Sequence, residues 1–378
     1  MKTFAIALLL FTASANAQWV SPIEQSYGPY LAPSIDAEPA IIASKDRVLL
    51  AWCEVDPITK APEIRTGILD FHGRLTGAIT KLPTQQAAAA ATSPVVATDG
   101  ETFAVAWVES WKFGAAIALG ADGVPAGGPR PFNLAADTMR TPLIWNGEAY
   151  QVNGIAFDGH GQPAFPEMDM PALALQYAFD HTIVGMKWTA DDGTTCHWGR
   201  HGCVYFNPNI TITWEIVREK QRKQESKDFP HYTKSSPIVA GDDNEMAIVW
   251  RAPNEYVGAR VVDGSYQSSF TFFRFDPLEA IHDSTEPEGI AFDGERWLVV
   301  FTRNHDIWGA FIDRNRSQDE IEPFPIATSD RFESHARVTK LAPGRFLVSY
   351  SSDLGPDDHR FAGRVVTLEP PARRRSMR

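Results

Sequence analysis

Pro287-Glu288-Gly289-Ile290-Ala291-Phe292, Asp293-Gly294 and Arg296-Trp297-Leu298-Val299-Val300-Phe301 run almost without a break, and after a polar loop come Ile307-Trp308-Gly309-Ala310-Phe311-Ile312 and Ile321 to Ala327. Each apolar run has the length of a strand. Asp-Gly between two such runs is a hairpin signal, because both central positions of the tight turn need positive φ. The stretch therefore reads as one four-stranded antiparallel unit.

The same order recurs along the chain, at Pro94 to Ile117 around Asp99-Gly100, and from Pro39, Pro142, Pro237 and Arg337 onward. A glycine marks the third strand at Gly67, Gly114, Gly154, Gly258, Gly309 and Gly363, with gaps of 47, 40, 104, 51 and 54 residues. The gap of 104 is twice the rest. It places a degenerate copy between Gln176 and Lys227, with Thr182 to Trp188 and Cys203 to Phe206 as its second and third strands. A glycine inside a strand weakens it unless the backbone is closely approached there, so a bulky neighbour is expected beside each one.

Sheets of four strands cannot bury both faces alone, and repeats of about 50 residues stack to do so. The expected fold is all-β: a seven-bladed β-propeller of four-stranded antiparallel sheets, with six blades as the other count compatible with the spacing. The seventh unit supplies three strands before Pro370-Pro371. Trp19 to Ile35 is then free to add the fourth, so that an N-terminal strand closes the ring. Trp52, Trp107, Trp250 and Trp297 recur on second strands and are expected in the core.

The expected organisation is a signal peptide over 1–17, a propeller over 18–370 and a basic tail over 371–378. Lys2, the apolar run Phe4 to Phe11 and Ala15-Asn16-Ala17 form the export pattern. That predicts a secreted or periplasmic protein with no membrane span, since no apolar run approaches the roughly 20 residues needed. The net charge of −12, from 35 Lys plus Arg against 47 Asp plus Glu, argues against nucleic acid as a partner. A monomer is expected. Of three cysteines, Cys53 sits in an apolar strand, so Cys196 is paired with Cys203 in a disulfide stapling a hairpin loop. Cys196-His197-Trp198-Gly199-Arg200-His201-Gly202-Cys203 also holds two Cys and two His, but the spacing matches no common zinc site, and neither metal nor cofactor is expected.

The repeat phrases, such as Pro287 to Phe292 with Asp293-Gly294 and Asp306-Ile307-Trp308-Gly309-Ala310, resemble secreted bacterial propeller repeats over most of residues 37 to 368. The resemblance implies an exported propeller and no defined reaction. Thr189-Ala190-Asp191-Asp192-Gly193-Thr194-Thr195-Cys196 resembles the Asp-box turn of sialidases. It ends in Cys where that turn has Trp, and it joins the second and third strands instead of the third and fourth, so it reads as a polar hairpin.

Loops joining second to third strands and those joining blades emerge on one face, where function is expected to collect. They carry Trp111, His197, Trp198, Arg200, His201, Arg251, Tyr256, Arg303, His305, Asp306, Asp358 and His359. Rings stack on sugar or peptide faces, Arg grips carboxylates and Asp accepts hydroxyl hydrogen bonds, a mixture that suits a carbohydrate or protein ligand. No Gly-x-Ser-x-Gly elbow, His-Glu-x-x-His helix or Gly-Lys-Ser phosphate loop is present. The expected function is a non-catalytic binding module. The alternative is a glycan-processing enzyme of sialidase-like type, which convergence of Arg251, Arg303 and an acid would favour. A third is a structural partner in an exported assembly.

Overall fold

The computed structural model describes residues 18–21, 24–27, 38–56, 58–84, 94–110, 112–134, 143–164, 175–179, 182–190, 197–199, 202–204, 210–218, 221–229, 237–252, 255–274, 287–314, 321–355 and 358–368. These form an all-β propeller of seven blades. Blade 1 is Ala40–Ala43, Val48–Val55, Pro62–Leu69 and Thr80–Lys81; blade 2 is Val95–Thr98, Phe103–Val108, Phe113–Leu119 and Arg130–Asn133. Blade 3 shows Ile144–Trp145, Tyr150–Val152 and Ile155–Phe157 among the described residues. Blade 4 is Leu175–Phe179, Thr182–Ala190, Ile210–Arg218 and Gln221–Phe229; blade 5 is Ile238–Gly241, Glu245–Ala252, Glu255–Val262 and Ser265–Arg274. Blade 6 is Pro287–Phe292, Arg296–Arg303, Asp306–Asp313 and Phe324–Ala327. Inner strands of successive blades touch all the way round, blade 7 to blade 1 included.

Blade 7 closes the ring as expected. Phe332–Ala342, Arg345–Asp353 and His359–Leu368 come from the C-terminal end, and Gln18–Val20 pairs antiparallel outside them, Trp19 opposite Thr367. Gln25–Ser26 pairs with the same strand further along. Residues 1–17 and 369–378, where the signal peptide and the basic tail are expected, lie outside the described residues.

Second strands are apolar on both faces because each blade is covered by a neighbour on either side. Leu49, Cys53, Trp107 and Ile117 belong to the layer between blades 1 and 2, and Trp250, Phe229 and Ile248 to that between blades 4 and 5. Trp52, Trp107, Trp250 and Trp297 are all buried. The inner hairpins turn on an acid or amide cap: Asp293 Oδ1 accepts the N–H groups of Glu295 and Arg296 at 2.8 and 2.7 Å, and Asn146 and Asp242 do the same in blades 3 and 5.

Gly114, Gly258, Gly309 and Gly363 face rings from the outer strand or segment, whereas Gly67 meets Leu75 and the Trp52 ring of the second strand. Phe132 lies opposite Gly114 and Phe270 opposite Gly258, and a Cβ built on either glycine would fall 2.2 or 2.3 Å from the ring. Gly309 meets Ile326 and Phe324, and Gly363 meets Tyr27. Gly154 is a correction: at φ +82° beside Asn153 at φ +40°, it forms the hairpin turn before the third strand of blade 3. Its place is set by the turn's need for positive φ.

Blade 4 holds another correction. Its third strand is Ile210–Arg218, paired with Thr182–Ala190 along its whole length. Gly202–Val204 instead joins His197–Gly199 in a separate small hairpin, Trp198 opposite Cys203. The charged stretch from Arg218 to Asp228 is mostly the outer strand Gln221–Phe229. An outermost strand is wet on both faces, so it shows no apolar alternation, and only Phe229 at its end is buried. The expected Cys196–Cys203 disulfide lies outside the described residues, since Cys196 is not among them. Cys53 is a buried thiol.

Candidate functional site

The loops between second and third strands share one face with the blade-to-blade connections, because strands run antiparallel outward from the axis. Trp111, Arg200 and His201 lie outside the described residues, and His197 and Trp198 belong to the hairpin inserted on this face in blade 4. The remaining candidates fall in blades 5, 6 and 7.

Arg251 and Tyr256 were expected in a loop and are instead opposite each other in the ladder of blade 5, both buried. Tyr256 belongs to the apolar cluster at the interface with blade 6. Tyr256 packs on Phe301 at 4.9 Å between ring centroids. Across that interface Arg303 lies over the Trp308 ring at 5.0 Å. Arg251 and Arg303 sit at corresponding ends of the second strands of blades 5 and 6. Arg303 is partly desolvated and positioned by the ring it lies over.

In blade 6 the turn is Asn304-His305, both at positive φ, +50° and +67°. That conformation throws His305 outward, where its ring meets Phe332 at 4.0 Å between centroids. Phe332 opens the inner strand of blade 7 and is 48% exposed. The two rings form an exposed platform over the seam between blades 6 and 7. Asp306 follows His305, half-buried, and burial raises its carboxyl above the usual range while His305 opposes the rise.

Blade 7 contributes charge that is already neutralised. Asp358 accepts Arg331 Nη1 at 3.0 Å and Arg360 Nε at 2.8 Å. Those two guanidinium groups hold its carboxyl down at about 2. His359 Nδ1 sits 2.7 Å from Asp353 Oδ1. Arg331 also donates to Ser352 Oγ and to the carbonyls of Ser352 and Asp358, at 2.8 to 3.0 Å. So Asp358 and His359 hold the loop together.

Nearer the axis, Glu288 of blade 6 accepts Thr302 Oγ1 at 2.9 Å and the N–H groups of His335 and Ala336 at 3.3 and 2.5 Å. A bulge between Ser334 and Arg337, with His335 at φ +56°, turns those N–H groups toward it. Arg337 donates to the Glu288 carbonyl at 2.6 Å and pairs with Glu38 of the first blade. One guanidinium thus ties blades 6, 7 and 1.

Sequence reasoning missed Phe332, Glu333 and Arg331, although Thr328 to Arg331 is a blade-to-blade connection of the same face. The available signal was an aromatic flanked by Arg331 and Glu333 shortly before Arg337, where the seventh unit was expected to begin. Among the described residues no group of three or more His, Cys, Asp or Glu is arranged to hold a metal ion, and no helix is long and apolar enough to cross a membrane.

No protein-family model matches this chain, and no curated protein does. Among solved structures, a protein of unknown function from Dyadobacter fermentans is 12% identical, covers 92% of this chain and 100% of its own, and superposes with a TM-score of 0.46. The β-propeller domain of the Trilobed protease from Pyrococcus furiosus is 12% identical, with 91% and 99% covered and a TM-score of 0.49. A mutant of NanB sialidase from Streptococcus pneumoniae is 8% identical, with 90% and 70% covered and a TM-score of 0.43. At these values the likeness carries no argument about ligand or activity.

Proposed function

We propose that the protein is an exported binding module that recognises a carbohydrate or a protein segment on the loop face of the propeller. One observation carries the reading. Of the six large apolar side chains that stand most exposed among the described residues, four lie on this face: Ile58, Phe113, Phe332 and Leu354. They sit in adjoining blades 7, 1 and 2, whereas Asp358 pairs with Arg331 and Arg360 in blade 7 and Glu63 with Arg65 and Lys81 in blade 1. A face that leaves apolar and ring surface open while neutralising its charges suits stacking and apolar contact. The expected signal peptide supports export.

The alternative, a glycan-processing enzyme, draws on Arg251, Arg303 and Asp306 at the mouth of blades 5 and 6. Both readings are tested together by binding of the mature protein to a glycan array and to a library of extended peptides, with bound glycans assayed for cleavage. Phe332→Ser should abolish selective binding. Cleavage that survives Phe332→Ser and disappears in Arg303→Ala would replace the binding module by the enzyme, and an absence of selective binding to either set would refute the proposal.

A further inference from the structure

At the seam of blades 6 and 7 two pairs of consecutive residues place rings outside and carboxyls inside. His305 is followed by Asp306, and Phe332 by Glu333. The Glu333 N–H donates to the His305 carbonyl at 2.8 Å, so the ring platform is hung on that one backbone bond as well as on its own stacking. Glu333 has no exposed surface at all. Its Oε1 accepts Ser329 Oγ at 2.6 Å and its Oε2 has no partner among the described residues.

The groups around Glu333 are mostly of its own sign. Asp306 comes from the third strand of blade 6, and its carboxylate is bonded by the Ser329 backbone, so Ser329 bridges the two acids. Glu24 comes from the N-terminal segment, held by Tyr350 at 2.7 Å and by Arg364 at 3.5 Å. Arg364 is the cation that faces the cluster from the last strand. On the second strand of blade 7, Ser352 lies opposite Glu333, and Arg331 bonded to it spends its charge on Asp358. A buried carboxylate with an open oxygen and two like charges nearby is costly, and taking up a proton removes that cost.

We propose that Glu333 is a proton-operated anchor of the His305–Phe332 platform: protonated, it holds the blade 6 turn against the start of blade 7, and on releasing its proton to solvent it is repelled by Asp306 and Glu24 and the two rings part. Its functional consequence rests on the reading of this face as the ligand surface, where binding then tightens in acid. Burial raises the Glu333 carboxyl, Ser329 opposes this, Glu24 and Asp306 add to it, and Arg364 opposes it. An acid raised in the folded chain holds its proton more tightly folded than unfolded. The stability it confers is therefore complete below the ordinary carboxyl range and is lost as pH rises through the raised value.

The test is Glu333→Gln, which keeps the shape and cannot ionise, followed by thermal unfolding from pH 4 to pH 8. The variant should melt with wild type at pH 4 and about 1–3 °C above it at pH 8. Hydrogen exchange at the position-333 amide, corrected for the intrinsic rate, should lose protection with rising pH in wild type and keep it in the variant. Asp306→Asn, which removes one of the repelling charges, should narrow the gap. A melting gap independent of pH, or a loss of protection that persists in Glu333→Gln and so belongs to His305, would overturn the inference. None of these readouts needs a ligand. Selective glycan or peptide binding absent at every pH would instead sink the assignment of the face while leaving the proton linkage standing.

Discussion

The Tyr350 hydroxyl, fully buried in the second strand of blade 7, donates to Glu24 Oε2 of the N-terminal segment at 2.7 Å. Arg364 reaches the same carboxylate at 3.5 Å. This side-chain clasp adds to the ladder formed by Gln18–Val20 and Gln25–Ser26 with His359–Leu368. Ring closure thus depends on polar groups brought together from opposite ends of the chain, 326 positions apart. Tyr350→Phe keeps the ring packing and removes the donor. The expected cost is about 1–2 kcal/mol, as for a lost hydrogen bond to a charged group. The N-terminal segment should also become the first site of proteolytic nicking. An unchanged Tm and digestion pattern would show that the strand ladder alone closes the ring.

Gly258 leaves no room for a side chain, since its Cβ would lie 2.3 Å from the Phe270 ring and 3.0 Å from the Ile248 carbonyl. Gly258→Ala should therefore destabilise by about 1–3 kcal/mol. Adding Phe270→Leu should recover part of the loss. Gly77→Ala is the control, because nothing lies within 4 Å of a Cβ there. Equal effects at Gly258 and Gly77 in denaturant unfolding would count against the ring-over-glycine packing.

Trp107 and Trp250 hold the same place in blades 2 and 5 but differ at the indole N–H. Trp107 Nε1 donates to Glu109, two residues on, at 3.2 Å, as Trp52 does to Glu54 at 3.0 Å. In blade 5 that position is Ala252, and Trp250 Nε1 is buried with no acceptor among the described residues. Trp107→Phe should cost about 1 kcal/mol more than Trp250→Phe, because only the former forfeits a buried hydrogen bond. The reverse order in chemical denaturation would contradict this.

The thiol count separates Cys53 from the expected disulfide. Burial pushes the Cys53 thiol up to about 12, which keeps thiolate, the reactive form, scarce at neutral pH. Native protein under non-reducing conditions should show Cys53 unreactive to a thiol reagent. On denaturation one thiol should label, with Cys196 and Cys203 recovered as a linked peptide by mass spectrometry; three labelled thiols would rule the disulfide out.

Much of the fold was legible because repetition averages out local ambiguity. Asp293-Gly294, Asp99-Gly100 and the apolar second strands each mark the same place in a blade, and Gly114 and Gly258 report a ring across the ladder. Legibility failed where a residue's role depends on its neighbours in space. Gln221 to Phe229 has the composition of a loop and is an outer strand. Gly154 falls near third-strand spacing and makes a turn.

The same division holds for the candidate face. His305 was legible as a loop residue because an Asn-His pair between two apolar runs turns tightly, and the side of the sheet follows from strand count; Asp306, expected in the same loop, instead opens the third strand opposite Arg303. Whether a loop residue is open to a ligand was not legible, because it depends on partners from other blades. Arg331 engages Asp358 across the sheet, Tyr256 is covered by Phe301 of the next blade, and Glu333 lies among Asp306, Glu24 and Arg364. Local hydrogen bonding and apolar periodicity set the blades and their order, since those forces act between residues close in sequence. Burial and charge pairing, which act between residues distant in sequence and adjacent in space, were decided by the closed ring.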